Sequence, residues 1–282
     1  MTGAGVLRWS TLLGAGRRGI YSWQELYRRA GMRTNTVKRK LQRGEPSIGA
    51  EAGLGSVLAA EAMSRVGFDY IVLDMQHGAW TEESVMYAFR SIALGKALPM
   101  ARVRSNDFGL IGRLLDIGAM GVIVPLVNSV EDAEKAVLAA RYPPLGGRSG
   151  GNFGTGFLSD DPDAYQEAAN EEIFLAVQIE SAPAVESAEA IMAVEGIDGC
   201  WIGPGDLSAS MGTTPGTPEH TAAIRSVIAA CHKTGKIPGI SLGEVELARF
   251  WIDEGCRFVT CGDDGSWMAA GARAALAGAR GE

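Results

Sequence analysis

Val66-Gly67-Phe68-Asp69-Tyr70-Ile71-Val72-Leu73-Asp74 is the stretch on which the fold turns. A helical pattern stops at a glycine, and a short β-branched and aromatic run comes next, closed by an aspartate. Glycine just past a helix end accepts the left-handed backbone that closes the helix. An apolar run of this length between such signals reads as a buried strand. The unit recurs, with Ile117-Gly118, Glu195-Gly196 and Glu254-Gly255 before further runs. Working outward, the candidate strands are 47–54, 69–74, 98–103, 121–127, 173–180, 198–203, 237–242 and 257–262. Stretches of helical period lie between them. Helix, glycine and buried strand in alternation argue for a parallel sheet with helical crossovers. Eight units in about 235 residues is the usual size of a (β/α)8 TIM barrel. An open doubly wound sheet is the alternative built from the same units.

Composition narrows the function classes. A hydrophobic share of 46% supplies a sizeable core, and a net charge of −7 gives no global support to nucleic-acid binding. No run of about 18 uncharged apolar residues reads as a membrane span. Cys200, Cys231, Cys256 and Cys261 have no CxxC spacing, so they read as buried free thiols, in keeping with a reducing cytoplasm.

Residues 1–31 are basic and irregular, and Met32 is a plausible second start. The segment reads as a poorly ordered extension, or as translation from an upstream start codon, ahead of one barrel domain over 32–282. Gly14-Ala15-Gly16-Arg17-Arg18-Gly19 matches a dinucleotide fingerprint literally. It lacks the preceding strand, and about 20 positions on it meets Lys38-Arg39-Lys40 instead of an acid. The Gly- and Pro-rich segment 141–165, between the fourth and fifth strands, reads as an active-site lid or a disordered insert.

In a parallel barrel the chemistry sits at the C-terminal strand ends. Those ends carry Asp74 and His77, Arg102, Gln178 and Glu180, and Gly205 and Asp206. Two carboxylates at one mouth repel unless a cation lies between them. All-oxygen ligation with open positions suits Mg²⁺, Mn²⁺ or Co²⁺ better than zinc. Asp206 could instead cap a helix beginning at Leu207. Asp74, three residues before His77, is expected to fix one ring nitrogen and leave the other as a base. Arg102 offers a fork of donors to a carboxylate or an enolate oxygen. His220 and His232 read as surface residues.

Five segments, GFDYIVLDMQHG (67–78), LLDIGAMGVIVPLV (114–127), ARYPPLGGRSGG (140–151), LAVQIES (175–181) and EGIDGCWIGPGDLSASMG (195–212), resemble the HpcH/HpaI family of class II pyruvate aldolases. The likeness spans about residues 32–275. It implies a 4-hydroxy-2-oxoacid lyase yielding a 2-oxoacid such as pyruvate and an aldehyde, through a metal-bound enolate. It implies a divalent metal on Glu180 and Asp206, with Arg102 on the pyruvate carbonyl and the amides of Gly205 and Asp206 on its carboxylate. It implies His77, oriented by Asp74, as the handler of the aldol hydroxyl proton. Asp116 matches a position that closes the site from a neighbouring subunit, and a homohexamer is implied.

The pattern also departs from the family. Asp-Gly-Glu-His becomes Asp74-Met75-Gln76-His77, Glu51 stands for an apolar or tryptophan residue, and Ser241 for an aliphatic one. Asp263 and Asp264 come after the last strand in place of a single Asp. These changes predict an aldehyde end more polar and acidic than usual, suited to small hydroxylated or cationic acceptors. A CoA-ester lyase on the same barrel, and a non-catalytic metal and 2-oxoacid binding protein, remain the alternative functions.

Overall fold

The structure is a computed structural model and describes residues 31–151 and 153–281. The extension up to residue 30 and the glycine-rich stretch within it lie outside the described residues. Eight parallel strands close into a barrel in sequence order, as the spacing predicts. They are β1 (Ser47–Ala52), β2 (Tyr70–Asp74), β3 (Leu98–Arg102), β4 (Gly121–Val124), β5 (Phe174–Ile179), β6 (Gly199–Ile202), β7 (Gly239–Leu242) and β8 (Phe258–Asp263).

Helix α1 (Thr36–Gln42) precedes β1. The helices between strands are α2 (Val57–Ser64), α3 (Glu82–Ala93), α4 (Phe108–Asp116), α5 (Val130–Ala140), α6 (Pro162–Glu172), α7 (Ala182–Glu186), α8 (Ala188–Met192), α9 (Pro204–Ser210), α10 (Pro218–Thr234) and α11 (Val245–Asp253). Helix α12 (Asp264–Arg280) comes after β8. Gly67 and Gly255, at the turns from α2 and α11 into the next strand, have φ of 123° and 113°. Side-chain-bearing residues rarely adopt that backbone, which is why these turns use glycine.

Side chains alternate across each strand, so one parity faces the barrel interior. The lower layer on that parity holds Tyr70, Phe174 and Phe258. The Tyr70 and Phe258 rings stack at 4.4 Å, and Phe174 tilts against Phe258 at 4.9 Å. Gly49 lies opposite: a Cβ there would come within 2.3 Å of the Tyr70 ring, so glycine makes room for it. Further toward the mouth, the strands present Glu51, Asp74, Arg102, Gln178, Trp201, Ser241 and Thr260. Registers Asp74↔Arg102, Gln178↔Trp201 and Ser241↔Thr260 set them side by side. The barrel core thus passes from aromatic at its foot to polar at its mouth.

The foot is sealed by α1, α6 and the segment between α5 and α6. Buried Asn35 donates to the carbonyls of Met120 (2.8 Å) and Glu172 (2.7 Å) and caps α1 through Lys38 N. Fully buried Arg141 donates to the carbonyls of Gly196, Asn170 and Ile173 and to Asp198. This corrects the reading of 141–165 as a lid or disordered insert. Helix α5 is the crossover that carries the chain from mouth to foot, so residues from 141 onward emerge at the foot. The segment is pinned by Gly147 N on the Leu138 carbonyl (2.8 Å) and Arg148 N on the Arg141 carbonyl (2.9 Å). Among the described residues no helix is long and apolar enough to cross a membrane.

Candidate active site

Asp74 and Arg102 form the rigid centre of the mouth. Arg102 Nε donates to Asp74 Oδ1 (2.9 Å) and Nη2 to Oδ2 (2.5 Å), a two-pronged pair about nine-tenths buried. Asp74 Oδ1 also accepts the backbone N–H groups of Gln76 (3.0 Å) and His77 (3.3 Å). Burial pushes the Asp74 carboxyl up, but Arg102 and the two amides more than offset that and hold it below the usual range. Asp74 is expected to orient the His77 ring, but in the structure its carboxylate bonds to Arg102 and to the backbone amides of Gln76 and His77 and not to the ring. A short carboxylate reaches the amides two and three residues on, in an Asx-type turn, more readily than the side chain at the third. The His77 ring is exposed and makes no hydrogen bond among the described residues, and it borders the cleft. The guanidinium of Arg102 also lies 5.4 Å from the ring centroid of fully buried Trp201, a neighbour the sequence reading missed. Its parity with Gln178 across β5 and β6 was the available signal. Arg102 Nη1 makes no hydrogen bond among the described residues.

The second element is the carboxylate pair. Glu180, just past β5, is 3% exposed. It accepts Leu126 N on Oε1 (2.9 Å) and Gln178 Nε2 on Oε2 (2.6 Å). The β4 loop delivers that amide through Leu126 at φ 57°, a left-handed backbone uncommon for leucine. Burial raises the Glu180 carboxyl, and the adjacent carboxylate of Asp206 adds to the rise against the pull of the Leu126 amide and Arg102. Asp206 is exposed and lies within the first turn of α9, two residues after Pro204. It is not the residue preceding the helix, so the capping alternative is set aside. Helix α9 has no side-chain cap, which leaves the amides of Gly205 and Asp206 without partners inside the helix.

His220 anchors this loop from α10. It is 3% exposed, its Nδ1 accepts Gly216 N (3.2 Å), and its Nε2 donates to the Pro204 carbonyl (2.9 Å). Those two bonds fix a neutral tautomer with the proton on Nε2. The surface reading of His220 is corrected. His220 occupies the third position of α10 after its Thr217 cap, and from there it reaches back to the preceding loop.

A divalent cation fits between Glu180 and Asp206. The Asp206 carboxylate helps raise the Glu180 carboxyl, and a positive charge beside the two relieves that repulsion. Buried Gln178 Oε1 beside them has no hydrogen-bond partner among the described residues. A Cβ on Gly203 would sit 3.0 Å from Glu180 Oε2 and from Gln178 Nε2, so glycine there keeps the cradle open. Among the described residues no group of three or more His, Cys, Asp or Glu could hold a metal. Glu180 and Asp206 would offer such an ion two carboxylates with positions left open, a donor type that suits hard cations.

The aldehyde-side residues meet in a cleft of about 370 Å³ lined by Glu51, Gly53, Asp74, His77, Gly78, Ser241, Leu242, Gly243, Gly262 and Asp263. Ser241 Oγ donates to Glu51 Oε1 (2.6 Å), and Thr260 Oγ1 adds a longer contact (3.3 Å). Burial raises the Glu51 carboxyl despite Ser241 and Arg102. Of Asp263, which ends β8, and Asp264, which follows it, Asp263 lines the cleft. Asp264 accepts the amides of Gly53 (2.9 Å) and Leu54 (3.2 Å) and fixes the β1 loop. Asp116 is not brought to this mouth. It ends α4, which runs back to the foot, and it accepts Arg148 Nη2 (2.8 Å).

A fixed arginine, a carboxylate pair and an exposed histidine thus share one barrel mouth. A family model described as HpcH/HpaI aldolase/citrate lyase matches residues 54–270. A 4-hydroxy-2-oxo-heptane-1,7-dioate aldolase from Shigella flexneri is 37% identical over 247 residues, 86% of this chain and 92% of that one. A hydroxypyruvate/pyruvate aldolase from Pseudomonas aeruginosa is 38% identical over 237 residues, 83% of this chain and 88% of that one. Among solved structures, an HpcH/HpaI aldolase/citrate lyase family protein from Burkholderia cenocepacia J2315 superposes with a TM-score of 0.81. It is 33% identical and covers 88% of this chain and 100% of that one. The chain belongs to the HpcH/HpaI aldolase/citrate lyase family, and it is an aldolase, a carbon–carbon lyase.

Proposed function

We propose that the chain cleaves and forms 4-hydroxy-2-oxoacids, releasing pyruvate or a close 2-oxoacid and an aldehyde. The observation that carries this is that Glu180, beside Asp206, lies within electrostatic reach of Arg102 at one mouth. Glu180 and Asp206 hold a divalent cation, Mg²⁺, Mn²⁺ or Co²⁺. When bound, the cation supplies Lewis-acid polarisation of the 2-oxo group. Arg102 Nη1 donates to the 2-oxo oxygen and stabilises the negative charge that grows there as carbon 3 becomes nucleophilic. Asp74 spends its charge on keeping that guanidinium still. The amides of Gly205 and Asp206 hold the 2-oxoacid carboxylate, and buried Trp201 and Gln178 floor the pocket. The exposed His77 ring takes the aldol hydroxyl proton through water.

Asp116 acts, in this reading, in the site of a neighbouring subunit, which its distance from its own mouth supports. A homohexamer, or another closed homo-oligomer, is supported by exposed apolar side chains on α11 and α12, among them Val245, Phe250, Met268 and Leu276. Four free cysteines support a cytoplasmic setting. The test is pyruvate release from a 4-hydroxy-2-oxoacid, monitored by coupled NADH oxidation with and without EDTA. Release that stops with EDTA, returns with Mn²⁺ and is lost in Glu180→Gln supports the reading. Release indifferent to both contradicts it.

A further inference from the structure

Glu51 keeps one carboxylate oxygen free at the floor of the cleft, on the strand that pairs with β2 and β8. Oε1 is occupied by Ser241 and Thr260. Oε2 makes no hydrogen bond among the described residues, and its closest cation, Arg102 Nη2, stands 3.9 Å away and is already committed to Asp74. Asp74 itself is fully engaged by Arg102 and two amides, and Asp263 Oδ1 caps α12 through Ser266 N (2.8 Å). The cleft wall therefore carries three carboxylates, of which one is neutralised. It offers an open acceptor at Glu51 Oε2 and, among its lining residues, no lysine or arginine, the His77 ring being the one basic group there. An acceptor oxygen in a mostly buried position stabilises a partner that donates a hydrogen bond and repels a second anion. Ser241 beside it adds a polar surface where an aliphatic side chain would have packed against a methylene chain.

We propose that Glu51, held by Ser241 and Thr260, selects the aldehyde. The acceptor is a short hydroxyaldehyde whose hydroxyl donates to Glu51 Oε2, and aldehydes ending in a carboxylate are excluded. This sets the chain apart from a relative named for a heptane-dioate substrate. The inference rests on the aldolase reading and adds the class of its second substrate. Burial raises the Glu51 carboxyl, so the discrimination against anions narrows as the pH falls and Glu51 takes up a proton.

The experiment has two arms. In the first, exchange of pyruvate methyl protons into D2O with Mn²⁺ reports the 2-oxoacid half-reaction of the wild-type enzyme without any aldehyde. In the second, kcat/KM is measured for glycolaldehyde, D-glyceraldehyde, propionaldehyde and succinic semialdehyde with pyruvate. The wild type, Glu51→Gln and Glu51→Asp are compared. Preferences are read as ratios within each protein, so a general loss of activity cancels. The wild type prefers the hydroxyaldehydes to succinic semialdehyde by at least about tenfold, Glu51→Gln reduces that ratio about tenfold, and Glu51→Asp keeps the rank order. Exchange with a flat preference, or a preference for succinic semialdehyde that Glu51→Gln leaves in place, overturns the inference and leaves the aldolase reading standing. Absence of exchange removes both.

Discussion

Replacing Asp74 with Asn keeps the shape of the side chain and removes what holds Arg102. In the wild type, Oδ2 receives Arg102 Nη2 at 2.5 Å and Oδ1 receives Nε at 2.9 Å. In Asn one of these positions becomes an NH2 group facing an N–H donor, and the charge is gone. A single charge-assisted hydrogen bond is worth about 1.5–3 kcal/mol, and breaking a buried ion pair by removing one partner costs about 3–5 kcal/mol. The two side chains are 9% and 10% exposed, and Glu51 at 3.9 Å takes up part of the freed charge. The low end of the range therefore applies, about 3 kcal/mol. For a chain of this size that lowers Tm by roughly 6–12 °C. A freed Arg102 swings toward Glu51, and a misplacement on the order of 1 Å slows the enolisation step about 100-fold. Differential scanning fluorimetry and pyruvate methyl exchange in D2O measure the two effects. If Asp74 served instead to orient His77, exchange would persist while aldol cleavage alone suffered. Exchange within about threefold of wild type, with Tm unmoved, refutes the assignment.

His220→Ala removes the bonds to Pro204 and Gly216, loosens the loop that carries Asp206, and weakens Mn²⁺ binding by about tenfold, read by titration against the free-Mn²⁺ EPR signal. Unchanged affinity would leave His220 without a role in the loop. Glu51 and Glu180 have raised carboxyls, so just above the ordinary glutamate range the folded state binds more protons than the unfolded one. Stability from these two groups therefore falls as pH rises through that window, and Asp74, with its lowered carboxyl, contributes stability that is lost only at more acid pH. Urea unfolding with EDTA between pH 4.5 and 7 tests this, and added Mn²⁺ stabilises more at pH 7 than at pH 5. Arg148→Met leaves Asp116 without its partner at the foot. Asp116 is 21% exposed, which limits the cost to about 1–2 kcal/mol by chemical denaturation, and Asp116→Asn in the same chain recovers part of it.

The barrel was legible because buried strands and their glycine turns are local signals. All eight expected runs overlap a strand, and the errors are at the ends, where 47–54 becomes Ser47–Ala52 and 121–127 becomes Gly121–Val124. The site was legible as a set of residues, because strand ends converge on one mouth whatever the details of packing. The partners of those residues were less so. Asp74 and His77 are three apart in sequence, but a turn brings the backbone amides closer to the carboxylate than the imidazole. Segment 141–165 looked like a lid because its composition is that of a loop, and composition does not say which end of the barrel a loop occupies. The count of crossovers does, since the chain leaves α5 at the foot. Trp201 and His220 were missed for a related reason: each matters through what it touches, and those contacts lie across strands or loops distant in sequence.

The measurement closest to the central claim is NMR exchange of pyruvate methyl protons into D2O by the full chain, with Mn²⁺, with EDTA, and in Asp206→Ala. It probes proton loss beside the carbonyl, the step that needs the carboxylate pair and Arg102 together and needs no aldehyde. The account predicts exchange with Mn²⁺ that EDTA abolishes and that the folded Asp206→Ala variant lacks. Folded wild-type protein that exchanges nothing with any divalent metal, or a variant that exchanges as fast as the wild type, would contradict it.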